Sequence, residues 1–171
     1  MQATVRLHTL NYDEAKTYLW ATIFVACNLI LPQVFHLIPQ GGTIFSPLSL
    51  VILIGAYKFG WKTGLLAALA SPMVNHLLTG MPVTEVLPVM TMKLGVLALV
   101  AGLTAQYFKI VSLPLLIGVV LVSKAVEALG EFILTGGIAA TMADFTIGWP
   151  GLLLQIVIGY LVIKFIPLSA E

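Results

Sequence analysis

Residues 35–50 read FHLIPQGGTIFSPLSL and interrupt a chain that is otherwise nearly continuous hydrocarbon. The stretch holds Pro39 and Pro47, the pair Gly41-Gly42, His36, Ser46 and Ser49, yet no Lys, Arg, Asp or Glu. It ends one apolar run and begins the next, because proline cannot continue a helix and glycine frees the backbone to turn. The composition around it leaves a single class. Hydrophobic residues make up 60% of the 171 and charged residues 9%, against roughly 25% charged in soluble domains. With a mean hydropathy of +1.07, the chain cannot cover a water-facing surface with polar groups. It reads as an all-α integral membrane protein, since lipid obliges every backbone group to be satisfied within a helix or a closed barrel and no segment reads as a strand.

Six apolar segments can be placed, at about 17–38, 46–59, 62–79, 84–107, 111–135 and 146–167, giving a compact bundle of six transmembrane helices over residues 17–167. The second is short and opens with Ser46-Pro47, where Ser is expected to cap and Pro to occupy the first turn. The leading segment, MQATVRLHTLNYDEAK (1–16), is polar, has no apolar core and does not read as a cleaved signal peptide. The single Cys27 rules out disulfides and thiolate metal clusters within one chain.

Charge gives the orientation. Arg6, Lys16, Lys58, Lys62, Lys109 and Lys164 all fall at one set of helix ends, while the alternate turns carry His36, Glu85 and Asp144 and no Lys or Arg. The positive-inside rule then puts both termini in the cytoplasm. It also puts three Gly/Pro-bearing turns without Lys or Arg outside: the opening stretch, LLTGMPVTE (77–85) and TGGIAATMADFTIGWPG (135–151).

Inside the spans, Lys93 and Lys124 lie near helix centres, where a lysine costs about 2.5–3.5 kcal/mol on insertion scales. Glu127 and Glu131 follow Lys124 at i+3 and i+7, on one stripe. Two readings stand open: an internal ion pair of Lys93 or Lys124 with Glu127, or a lysine facing a cavity to meet an anionic ligand group. Asn28, Asn75, His76, Thr91, Gln106 and Gln155 add uncharged hydrogen-bonding groups. Asn75 and His76 serve either as glue between helices or as ligand contacts. In span one, Ala21, Thr22, Ala26 and Asn28 leave a face without bulk, for close approach within the bundle or to another subunit. The signatures of an intramembrane serine protease, a zinc enzyme and a nucleotide hydrolase are all missing from the sequence, and Ser71 and His76, five apart on a helix, make a poor catalytic pair. No enzyme activity, cofactor or metal is expected.

HLIPQGGTIFSP (36–47), GAYKFGWKTGLLAALASPMVNHLLTGMP (55–82), MTMKLGVLALVAG (90–102) and WPGLLLQIVIGYLVI (149–163) together resemble the substrate-binding S component of energy-coupling factor transporters. The resemblance covers roughly residues 20–165. It implies a subunit of the prokaryotic cytoplasmic membrane that captures a water-soluble vitamin from outside. Its partners are a transmembrane scaffold subunit and two ATPases, with no nucleic acid, and it releases its cargo by toppling in the bilayer. On that resemblance the gating loops comprise Pro39, Gly41, Gly42, Phe45, Gly80, Met81 and Pro82, and toppling explains why such loops are free of charge. Substrate contacts would come from Lys93, Lys124, Glu127, Asn75, His76, His36 and Gln155, and the scaffold contact from Ala21, Thr22 and Ala26, although the strict Ala-x-x-x-Ala spacing is missing. The sequence departs from the family where Lys93 replaces a common acidic residue. That favours an anionic cargo such as pantothenate or folate, with cobalamin- or queuosine-type cargo also open. The alternative function is a self-contained secondary transporter or channel.

Overall fold

Pro47–Phe59, PLSLVILIGAYKF, is apolar on every side, and in the computed structural model every residue of it except Ser49 is buried. A helix that is hydrophobic all round belongs inside other helices. The structure describes residues 7–35, 37, 39–136 and 138–166, with the elements α1 (Ala15–Phe35), α2 (Gly41–Phe45), α3 (Pro47–Phe59), α4 (Trp61–Thr79), α5 (Leu87–Phe108), α6 (Leu113–Thr135) and α7 (Ile138–Phe165). There are thus six helices of at least 13 residues and one single-turn helix, and among the described residues there is no strand. Helices α1, α4, α5 and α7 pack around α3, while α6 closes the bundle against α5 and α7. Among the described residues, four stretches are long and apolar enough to cross a membrane: α1, α5, α6 and Thr146–Phe165 of α7. The chain is a multi-pass membrane protein.

Small residues set the helix spacing. A Cβ at Gly64 of α4 would lie 2.4 Å from the Ala56 Cβ of α3, and one at Gly102 of α5 would lie 2.4 Å from both N and Cα of Trp61. Ala67, Ala68, Ala98, Ala101 and Ala105 are buried in the same layer, so α3, α4 and α5 approach backbone to backbone, as membrane helices do where dispersion and packing replace the hydrophobic drive. The lysine-bearing end of this layer is clasped by rings. Trp20 stacks on Phe59 at 4.1 Å between centroids, with Phe24 at 5.6 Å and His8 at 5.8 Å from the same ring.

The ends of α3 and α4 show how the chain turns. Residues 7–10 are extended over the last turn of α3, where the His8 and Leu10 amides donate to the Lys58 and Phe59 carbonyls at 2.8 and 3.2 Å, supplying partners to otherwise orphaned carbonyls. Lys58 is itself buried and donates to the Ile166 carbonyl, which ties α3 to the end of α7.

Two expectations are corrected. Ser46 does precede α3, but at φ 45° and without a side-chain cap bond; Pro47 at the first position begins the helix instead. Segment 135–151 is not an open turn. From Ile138 it is already helix, and α7 runs 28 residues, about 42 Å, beyond the roughly 30 Å of hydrocarbon. The opening stretch likewise holds a helical turn, α2, between left-handed Gln40 and Ser46.

Gly102→Ala should destabilise the protein by about 1–3 kcal/mol, since the clash is with backbone that cannot swing aside. Gly118→Ala, where nothing lies within 4 Å, should stabilise α6 by up to about 1 kcal/mol through helix propensity. Thermal unfolding of the two variants in detergent, followed by circular dichroism, tests this opposition of sign.

Candidate functional site

α1, α4 and α7 each contain an internal proline: Pro32, Pro72 and Pro150. A proline has no N–H to offer the carbonyl four residues back, and for Pro32 that carbonyl belongs to Asn28. The Asn75 side chain of α4 supplies the missing donor. Its Nδ2 donates to the Asn28 carbonyl at 2.9 Å and to the Ser71 carbonyl at 3.1 Å, while Asn28 Nδ2 donates to Ser71 Oγ at 2.9 Å. Asn75 thereby acts as glue between α1 and α4, with both amide hydrogens in use. His76 points elsewhere: its Nδ1 is 2.7 Å from the Pro82 carbonyl, and since a carbonyl only accepts, Nδ1 carries the proton. This bond and that of Thr79 Oγ1 to the Asn75 carbonyl, 2.8 Å, tie down the turn made by left-handed Gly80, Met81 and Pro82.

α6 presents an inward polar stripe. Ser123, Glu127 and Glu131 recur every four residues and are all buried, the two carboxylates at 3% and 7% exposure. Lys124 lies beside this stripe and reaches back to Glu127 at 2.7 Å. Lys93, from α5, pairs across the helix interface with Glu131 at 2.8 Å. The ion-pair reading therefore holds for Lys124 with Glu127, and Lys93 has Glu131 as a partner. A paired lysine offers no uncompensated charge to an anionic cargo.

Several buried atoms of the same interior have no hydrogen-bond partner among the described residues: Glu131 Oε2, Ser123 Oγ, Asn28 Oδ1 and both amide atoms of Gln155. Gln155 is 1% exposed. A Cβ at Gly159 would lie 3.7 Å from Leu116. α6 and α7 form an antiparallel hairpin, so Gln155, one turn from Gly159, comes level with the 120–123 turn of α6. The sequence does not single out Ser123, though its spacing of four from Glu127 is a signal that could have done so.

Other expected residues are placed as follows. Gly41, Gly42 and Phe45 form α2, which is packed, with Phe45 5.2 Å from the Phe35 ring and Gly151 of α7 fitted closely against the Ile44 and Phe45 backbone. Pro39 lies exposed in the turn just before α2. His36 is outside the described residues. Ala21 is buried, whereas Thr22 and Ala26 share the outward face of α1, so the three do not form one surface. A comparison with protein-family models, with curated proteins and with solved structures finds no match to this chain.

Removing the Asn75 side chain orphans the Asn28 carbonyl. Asn75→Ala should cost roughly 1–3 kcal/mol, and markedly less in a Pro32→Ala background, where the new amide serves the same carbonyl. A double-mutant cycle read by thermal unfolding decides the matter; additive effects would remove this role. Likewise Lys93→Met, which strands the Glu131 charge, should lose about 3 kcal/mol, and Lys93→Met with Glu131→Gln should recover most of it.

Proposed function

We propose that this chain is the substrate-binding subunit of an energy-coupling factor type importer. In this reading it is held in a prokaryotic cytoplasmic membrane by a bundle of six helices, α1 and α3–α7, with both termini inside. It captures a small water-soluble vitamin or related micronutrient and delivers it, by toppling, to a scaffold subunit driven by two ATPases. The observation that carries the proposal is Gln155. A buried side-chain amide with neither donor nor acceptor engaged costs about 1–3 kcal/mol, and such an arrangement is retained where a ligand completes the bonds. Ser123 Oγ, on the facing turn of α6, is in the same condition.

The local chemistry also bears on the cargo. Lys93 with Glu131 and Lys124 with Glu127 make two neutral pairs, so the charges of these four residues sum to zero. A neutral or zwitterionic ligand rich in donors and acceptors suits that interior better than a multiply charged anion. The packed α2 and the braced Gly80–Pro82 turn then serve as the cover over this end of the bundle, and their lack of charge suits segments that must enter hydrocarbon.

Gln155→Leu provides a test with opposite signs. The ligand-free variant should melt higher than the parent, because an unsatisfied amide is replaced by an apolar side chain. Its affinity for the small molecule that co-purifies, identified by native mass spectrometry, should fall more than tenfold. Unchanged affinity would take Gln155 out of the site. A parent protein that carries no small molecule and ignores a panel of vitamins would favour the self-contained secondary transporter or channel.

A further inference from the structure

At the lysine-bearing end of the bundle, about 20 Å along α5 from Lys93, a cavity of about 330 Å³ opens between the extended segment 7–10, the end of α3 and the end of α5. That is roughly eleven times the volume a water molecule occupies in the liquid. His8, Thr9, Gln106 and Lys109 supply its polar side chains, and Gly60 and Gly102 complete the lining. Its hydrogen-bonding capacity is largely unspent. His8 Nε2 is buried without a partner, and among the described residues no hydrogen bond or ion pair engages Lys109 Nζ or the Gln106 amide. Tyr57 is already committed, donating to the Ile110 carbonyl at 2.8 Å. No carboxylate lines the cavity. Lys109 also occupies a left-handed position, φ 55°, at the C-terminal cap of α5, where glycine or asparagine is usual. A lysine held there in spite of its backbone preference places a cationic side chain at the cavity mouth.

Lys109, the one formally charged residue of the lining, has no carboxylate beside it and so favours an anion, and the depth of the site indicates which anion. Tyr107 and Phe108, 82% and 50% exposed, flank Gln106 and Lys109, with exposed Ile110 and Leu113 beyond them. Exposed aromatic rings at the end of a membrane helix mark the level of the lipid headgroups, and basic pockets between helices at that level hold acidic headgroups. We propose that this cavity binds a phosphate group, presented by an anionic phospholipid of the adjoining leaflet. The inference rests on the membrane location and is independent of the cargo at the opposite end.

The test uses the full chain in nanodiscs of phosphatidylcholine containing a minor fraction of phosphatidylglycerol, with lipid retention read by native mass spectrometry. The parent protein should retain phosphatidylglycerol in preference to phosphatidylcholine. Lys109→Gln should reduce that retention at least fivefold, and His8→Gln should reduce it less. Lys62→Gln is the control for general surface charge, because Lys62 donates to Asn11 at 2.6 Å at the same end without lining the cavity. Melting temperature in pure phosphatidylcholine confirms that each variant folds. In a detergent arm, glycerol phosphate and inorganic phosphate are titrated by thermal shift. A Lys109-dependent shift without lipid retention would support the phosphate site and assign its ligand to solution. Equal retention of both lipids without any phosphate shift, or an equal loss in Lys62→Gln and Lys109→Gln, would overturn the proposal.

Discussion

The enclosure of α3 is the constraint on which the rest of the bundle depends. Thirteen residues reach only about 20 Å, too short for a bilayer core of roughly 30 Å, so α3 cannot be stable as a lipid-facing span. It must be surrounded by protein and its ends completed by other segments. That requirement explains the clasp of Trp20, Phe24 and His8 around Phe59, the amides of residues 8 and 10 on its terminal carbonyls, and the reach of Lys58 to Ile166. It also explains the glycines at 64 and 102. Four helices can close around a fifth only where small residues let backbones meet.

A second layer of constraint comes from the prolines. In lipid an orphaned carbonyl has no water to turn to, so the proline in α1 obliges a side chain from another helix to answer it. Asn75 does so, and a residue that looks like a ligand contact becomes part of the frame. The carboxylates of α6 follow the same logic, each drawing a lysine to itself. What remains after these local demands are met is informative: the side chains of Gln155 and Ser123 are buried and have no hydrogen-bond partner among the described residues.

Helix positions were largely legible in the sequence because proline, glycine and apolar run length mark helix ends directly. The apolar runs of α1, α5 and α6 needed no tertiary information. Less legible were features decided between helices. That Lys93 reaches Glu131 depends on the rotation of α5 against α6 rather than on spacing along α6. The inward turn of Ala21 away from Thr22 and Ala26 depends in the same way on where α4 lies. The helical start of α7 was hidden by Gly136, Gly137 and the polar residues after them, whose composition suits a turn. The central place of α3 did have a signal, since an apolar run of 10–14 residues is more often a buried core helix than a span.

The two ends of the bundle differ in what they have left to bond with. At the lysine-bearing end, stacked rings, backbone-to-backbone glycine contacts and an extended segment on the α3 terminus make a closely packed base, where His8, Gln106 and Lys109 line one cavity. Away from that end, the unused groups are buried on separate helices, Asn28 on α1, Ser123 and Glu131 on α6 and Gln155 on α7. A protein anchored by lipid at one end and open to a solute near the other needs its rigidity where the anchor is and its unsatisfied polar atoms where the solute arrives. That division follows from where proline, lysine and small residues fall along the chain, and it makes the interior around Gln155, rather than the lysines taken singly, the place where binding energy is still available.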